Sequence, residues 1–394
     1  MFGKAIKLFK LFGFEVKVDL SWLLFAVLIS WSLGAEFSLA LSGHSQTTYW
    51  WMGIGAAIGL FLSVVFHELW HSLVARRFGL EMKGITLFIF GGVSEMPNEP
   101  ASAKVEFWMA IAGPVSSLVL GGVFYGLAWL LSGGAVAPSL SWNNYPSGTH
   151  PVVAAFSILG YINVLLTGFN IIPAFPLDGG RVLRAAIWGA NKNMLRATRI
   201  VSVIGSGFGM LLVVLGIMMF IGFQFPILGT GLISGVWCAL IGWFLWGAAR
   251  SSYQQLLMRK GLEGMKVSKL MEANPITVPR ALSIESLVDD YIYKHTFKMF
   301  PVVDGDRLAG CVTLQKVRDV PKAEWNVRTV GEIAGGCSPD NTIGPNADAM
   351  EALGQMSRGQ LSRLMVVEGD KLVGIITLKD MLQFLSVKLE LGDK

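Results

Sequence analysis

Five consecutive residues, His67-Glu68-Leu69-Trp70-His71, hold the densest set of chemically active groups in this chain. On an α-helix the two imidazoles, four residues apart, fall on one face with a carboxylate beside them. That geometry suits zinc, which at catalytic sites commonly takes three protein ligands and leaves a position for a water that it acidifies. Glu68, adjacent but outside the ligand set, is placed to take a proton from that water as general base. The pentapeptide lies inside a long apolar run, where ionisable side chains are expensive and normally mark function. The bland alternative is a pair of histidines packed against neighbouring helices.

A third ligand has to come from elsewhere. The candidate is Asp178, in the run Asn170-Ile171-Ile172-Pro173-Ala174-Phe175-Pro176-Leu177-Asp178-Gly179-Gly180-Arg181, after another long apolar stretch. Pro173 and Pro176 interrupt the helix there, and the carbonyls they free need protein or water partners, an arrangement tolerated where a cavity is lined. One acid on such a broken helix suits a buried metal. On spacing alone it also suits an N-cap of a short helix that starts near Gly179.

The elements that must carry these residues are membrane helices. The chain has 394 residues, 53% of them hydrophobic and only 15% charged, with positive mean hydropathy. That composition is far from a soluble domain's and belongs in a bilayer. Long apolar runs before residue 250 give way to ordinary mixed sequence after it. About six spans are expected, at roughly 20–41, 50–76, 105–132, 151–172, 199–222 and 227–249, each near the ~20 residues a bilayer core requires. The first is long enough to span and is followed by no small-residue cleavage site, so it reads as a retained helix. Lys4, Lys7, Lys10 and Lys17 precede it, whereas Glu36 to Trp50 contains no Lys or Arg. Arg76, Arg77, Lys83 and Lys104 follow the second span, and Arg181, Arg184, Lys192, Arg196 and Arg199 surround the fourth-to-fifth connection. The loops Leu131 to His150 and Gly222 to Gly231 carry none, so the N-terminus and the tail are expected in the cytoplasm of a multi-pass cell-membrane protein. The net charge of +5 thus serves topology, and no nucleic-acid partner is expected. Cys238, Cys311 and Cys337 show neither zinc-knuckle spacing nor a disulfide framework.

Three segments remain. The first seventeen residues set Phe2, Ile6 and Phe9 against Lys4, Lys7 and Lys10 at helical spacing, which reads as an interfacial helix or as a frayed basic leader. Residues 85–96 read as a short apolar strand that turns at glycines. From about Met265 two similar halves appear, Phe300-Pro-Val-Val-Asp-Gly-Asp-Arg-Leu-Ala-Gly-Cys-Val-Thr313 and Leu364-Met-Val-Val-Glu-Gly-Asp-Lys-Leu-Val-Gly-Ile-Ile-Thr377. Each predicts strand, tight turn, strand after an apolar-periodic helix such as Ile284 to Tyr293.

His67-Glu68-x-x-His71 together with Asn170-x-x-Pro173-x-x-Pro176-Leu177-Asp178-Gly179-Gly180 resembles the two diagnostic motifs of the site-2 proteases, which are intramembrane zinc metalloproteases. Gly91-Gly92 and Gly113-Pro114 extend the likeness over roughly residues 1–250. The resemblance implies one catalytic Zn2+ on His67, His71 and Asp178, Glu68 as catalytic acid and base, and Asn170 near the scissile peptide. A side-chain amide there can donate to a developing oxyanion or hold the substrate extended; the alternative for Asn170 is a cap ahead of Pro173. It also implies a re-entrant hairpin at 85–96, against a simple connector as the plain reading. The expected substrate is a transmembrane protein such as an anti-sigma factor or a membrane-tethered transcription factor, cleaved in or near its span.

The tail resembles a tandem pair of CBS domains, modules that commonly bind adenine nucleotides. Thr377 and Asp380 fit the contacts such modules make to phosphate and ribose, whereas Lys316 follows Thr313 at the matching place. At most one site for ATP, ADP or AMP is therefore expected, with a homodimerisation module as the alternative. The expected organisation is a polytopic α-helical protease domain at 1–250, a linker at 251–264 and a cytoplasmic α/β CBS pair at 265–390, split into about 265–325 and 326–390. A CBS-regulated transporter whose ion path is lined by His67, Glu68 and Asp178, or an inactive protease-like scaffold, are the competing readings of the whole.

Overall fold

The structure is a computed structural model and describes residues 5–391 apart from 42, 83, 90, 96–98, 137–144, 147, 226–230, 306 and 360. Phe2, Lys4, Lys83, Met96 and Asp306, and the start of the span expected at 227, lie outside the described residues. The chain divides into two compact units, Met1–Gln254 and Gln255–Lys394.

The first unit begins with a hairpin, β1 (Ile6–Leu11) and β2 (Phe14–Val18), paired antiparallel from Leu11↔Phe14 to Ile6↔Val18. Phe12 and Gly13 turn it with φ of +50° and +91°, the two-residue loop whose twist matches paired strands. This corrects the expected interfacial helix. Phe14, Val16 and Val18 alternate and are buried against Val65, Leu69, Ile85 and Leu87, so period two won over the three-to-four spacing of Phe2, Ile6 and Phe9. Lys7 and Glu15 pair across the hairpin's exposed face at 2.5 Å.

Helices α1 (Leu20–Ala40) and α2 (Gln46–Arg77) follow, capped by Asp19 and Ser45, and lead into β3 (Gly84–Phe88) and β4 (Gly91–Glu95). The sheet order is β1-β2-β3-β4, with β2 and β3 parallel and the other pairs antiparallel. A parallel pair needs a crossover, and here the α1–α2 hairpin is that crossover. Within the segment expected as a strand and glycine turn, Gly84–Phe88 and Gly91–Glu95 are thus two antiparallel strands of a larger sheet. Next come α3 (Ala103–Leu131), α4 (Pro151–Ile171), the short amphipathic α5 (Asp178–Asn191), α6 (Met194–Phe220) and α7 (Gly231–Leu262). Among the described residues α1, α2, α3, α4 and α6 are long and apolar enough to cross a membrane. The described part of the span expected at 227–249 lies within α7. Residues 251–264, expected as a linker, stay helical through Leu262, because the run from Tyr253 to Lys260 holds neither Gly nor Pro.

In the second unit the two halves repeat one pattern. Strands β5 (Glu272–Ala273), β6 (Val278–Pro279), β7 (Met299–Asp304), β8 (Arg307–Thr313), β9 (Thr342–Ile343), β10 (Arg363–Glu368) and β11 (Lys371–Thr377) run β6-β7-β8-β11-β10-β9, with β5 on β11. The β7–β8 pair bulges between Val302 and Val303, and the β10–β11 pair at the matching Val366 and Val367. Gly305 and Gly369 both turn at φ +62°. Each half packs its own core, one around Phe300, Val302 and Val312 and the other around Leu364, Val366 and Ile376.

Candidate metal centre

Helix α2 carries His67 and His71 on one buried face, each 4% exposed. Their Nε2 atoms are 3.1 Å apart. Asp178 Oδ2 lies 3.0 Å from His67 Nε2 and 3.1 Å from His71 Nε2, closing a nearly equilateral triangle from residues far apart in sequence.

Helix α3 fixes the rings from behind. The Met109 carbonyl lies 2.6 Å from His71 Nδ1 and can only accept, so Nδ1 carries a proton, and a neutral ring then turns the Nε2 lone pair toward Asp178. The Ser117 hydroxyl stands 2.9 Å from His67 Nδ1 and can accept from it in the same tautomer. Between them on α3 is Gly113, where a Cβ would collide with His71 and stand 2.6 Å from His67 Nε2. Only a residue without a side chain lets α3 approach the two imidazoles this closely.

Asp178 is the first residue of α5, after α4 ends at Ile171 and the Pro173–Pro176 turn reverses the chain. The N-cap of α5 is Leu177 with no side-chain cap bond, so the carboxylate is not spent on capping and meets the histidines instead. A carboxylate in the first helical turn is also favoured by the helix dipole. Gly179 and Gly180 let this turn pack tightly: a Cβ on the first would overlap the main chain at Ile171, and on the second it would stand 2.6 Å from the Ala174 carbonyl carbon.

With the imidazoles neutral, two nitrogen lone pairs and a carboxylate oxygen meet within 3.1 Å with no donor between them, an arrangement that a cation relieves. The N, N, O donor set suits zinc. The 3.0–3.1 Å edges approach the roughly 3.3 Å edge of a tetrahedron with ~2.0 Å bonds. The residues fit the ion.

Glu68 is half-buried beside His67 and His71, and β4 crosses it so closely that a Cβ on Gly92 would stand 2.5 Å from its Cγ. Asn170, half-buried in the last turn of α4, donates from Nδ2 to the Leu166 carbonyl at 2.9 Å, a bond within its own helix. In the second unit Thr377 and Asp380 bond one another: Thr377 Oγ1 donates to Asp380 Oδ2 at 2.7 Å, and the Asp380 N–H donates back to Thr377 Oγ1 at 3.2 Å. That is a reciprocal cap at the start of the helix Leu378–Glu390. At the matching turn of the first half, Thr313 caps through the Lys316 N–H at 3.5 Å.

Sequence reasoning missed Ser117, the Met109 carbonyl and the reason for Gly92 and Gly113. Ser116-Ser117 inside an apolar span was a readable signal, since polar residues at that depth are held by partners. It missed Asn163 as well, a fully buried amide on α4 that donates to Ser63 Oγ at 3.0 Å, one turn from His67.

Residues 55–150 and 146–215 match Peptidase family M50, and residues 267–322 and 330–387 each match the CBS domain. The chain is 33% identical to Rip3 of Mycobacterium tuberculosis over 97% of its own length and 93% of that protein. It is 30% identical to a zinc metalloprotease of Methanocaldococcus jannaschii over 99% of this chain and 98% of the other. Among solved structures, a site-2 protease from Methanocaldococcus jannaschii aligns with a TM-score of 0.42 and 28% identity, covering 63% of this chain and 95% of that one.

Proposed function

The chain belongs to peptidase family M50, the membrane zinc metalloproteases of site-2 type, and on that premise we propose that it cleaves a peptide bond in or near a substrate's transmembrane segment with zinc on His67, His71 and Asp178. The observation that carries this reading is the convergence of three buried acceptors from two helices, with both outer imidazole nitrogens already partnered.

Held by His67, His71 and Asp178, zinc would supply Lewis acidity toward the scissile carbonyl and toward water. Glu68 takes a proton from the attacking water as its oxygen bonds to the carbonyl carbon, then gives that proton to the amide nitrogen as the C–N bond breaks. Strand β4 ends the sheet order on the side nearest Glu68, so an unwound substrate segment pairing with it by strand addition brings a peptide bond to that carboxylate. Asn170, once released from Leu166, is a donor for the substrate backbone at the rim of the Asp178 turn.

His71 lies about five residues before Arg76, roughly 7.5 Å along the helix. With the basic loops in the cytoplasm, that depth lets water in from the inner surface, and the N-terminus and tail share that side. The tail binds an adenine nucleotide at Thr377 and Asp380, where the first-turn N–H groups of a 13-residue helix favour phosphate, and the bound nucleotide modulates cleavage.

Purified protein in detergent, given a single-span substrate, tests the catalytic reading. Wild type is expected to cleave and Glu68→Gln to lose at least a hundredfold in rate with zinc retained at one per chain. Equal rates, or zinc content indifferent to His67→Ala, would remove it. Isothermal titration with ATP, ADP and AMP separates nucleotide binding from dimerisation alone.

A further inference from the structure

We propose that the buried ion pair of Arg184 and Glu106 is a positioning device for Asp178, which sets the affinity of the metal centre; this rests on reading His67, His71 and Asp178 as the ligands. Arg184 sits on α5 about one and two-thirds turns after Asp178, and is 6% exposed. Its Nε donates to Glu106 Oε1 at 2.5 Å, and Glu106, in the first turn of α3, is fully buried. Nη2 pairs with the same oxygen and reaches Glu99 Oε2 at 3.3 Å. The guanidinium also lies over the Phe175 ring, 5.3 Å from its centroid, and Phe175 belongs to the turn that delivers Asp178.

One side chain therefore ties together the start of α3, the helix α5 and the turn before it. The same α3 supplies the Met109 carbonyl and the Ser117 hydroxyl that orient the two imidazoles. Arg181 adds a weaker link between α5 and α3, Nη2 to Met109 Sδ at 3.9 Å. Both halves of the ligand set are thus referred to one rigid element, and the angular register of α5 against it decides where Asp178 Oδ2 falls.

Stability alone does not account for the pair. Well-packed apolar residues often replace a buried ion pair at no loss, and Glu106 Oε2 finds no hydrogen-bond partner among the described residues. What the planar guanidinium fork provides, and apolar packing does not, is direction.

The test uses full-length protein in detergent, stripped of metal and titrated with Co2+ against a chromophoric chelator, with the visible d–d bands recorded. Arg184→Met and Glu106→Gln are expected to lose about 10–100-fold in cobalt affinity, with weakened tetrahedral bands. Arg184→Lys keeps the charge without the fork and is expected to recover only part of that loss. Because a lone buried charge can unfold the single variants, the double variant R184M/E106L decides: it removes both charges, and is expected to keep helical circular dichroism while staying weak for cobalt. A folded double variant with wild-type affinity and spectrum overturns the proposal and leaves the ligand reading intact. Wild-type protein that takes up no cobalt, or as much as His67→Ala does, removes the ligand reading and the proposal with it.

Discussion

Replacing Gly113 by alanine adds one methyl group to the middle of α3. In an ordinary helix that change stabilises by about 1 kcal/mol, because alanine has the better propensity. Here the new Cβ would stand 2.6 Å from His67 Nε2, about 0.8 Å inside ordinary contact at 3.4 Å, and closer still to His71 Nε2. Neither ring can swing aside while Met109 and Ser117 hold its outer nitrogen, so the ligand atoms or α3 must move by most of that distance. Metal sites tolerate displacements of about 0.5 Å, and a misplacement near 1 Å costs on the order of a hundredfold. Gly113→Ala is therefore expected to bind zinc at least a hundredfold more weakly, read by chelator competition, and to lose cleavage in proportion. Gly122 and Gly126 lie on the same helix with nothing among the described residues within 4 Å of an added Cβ, and their alanine variants should keep metal and activity with equal or higher thermal stability. Wild-type zinc affinity in folded Gly113→Ala would refute the close-approach argument, and loss in Gly122→Ala would show that helix propensity had been misjudged.

Gly92→Ala places a methyl 2.5 Å from Glu68 Cγ and 3.0 Å from its Oε1, so it should lower kcat by roughly a hundredfold while zinc stays bound, measured on one preparation. Ser117→Ala removes the partner of His67 Nδ1 and is expected to weaken zinc 10–100-fold, with Ser117→Thr retaining most of the affinity. Thr377→Ala breaks the reciprocal cap on Leu378–Glu390 and should destabilise the CBS pair by about 1 kcal/mol in thermal melts, an effect independent of any nucleotide.

The histidine pair was legible because its spacing alone fixes its face, and the repeat in the tail because Gly-Asp turns recur between matching apolar strands. Asp178 was legible as a candidate and no more: a carboxylate before two glycines reads as a cap until Leu177 is seen in that place. The supporting groups were hidden for different reasons. A main-chain carbonyl such as that of Met109 has no letter in a sequence, and Ser117 looks like any small residue in a packed span. Gly113 was visible as part of a motif, yet what it makes room for appears only once α2 and α3 are together. At the N-terminus a helical spacing of lysines distracted from Phe14, Val16 and Val18, and from the turn signal at Phe12-Gly13. There the exposed strand β1 follows no apolar pattern, so only its partner could be read.

The two imidazoles are anchored by unlike things, one by a serine hydroxyl and the other by a peptide oxygen. Heritable variation therefore has unequal access to them. A change of amino acid at position 117 can retune the basicity of His67, whereas every residue at position 109 brings the same carbonyl. Mutational drift can adjust His67 in single steps and reach His71 only by bending α3. Deep mutational scanning should find position 117 graded in its tolerance. Position 109 should register the size of its buried side chain and the sulfur that meets Arg181.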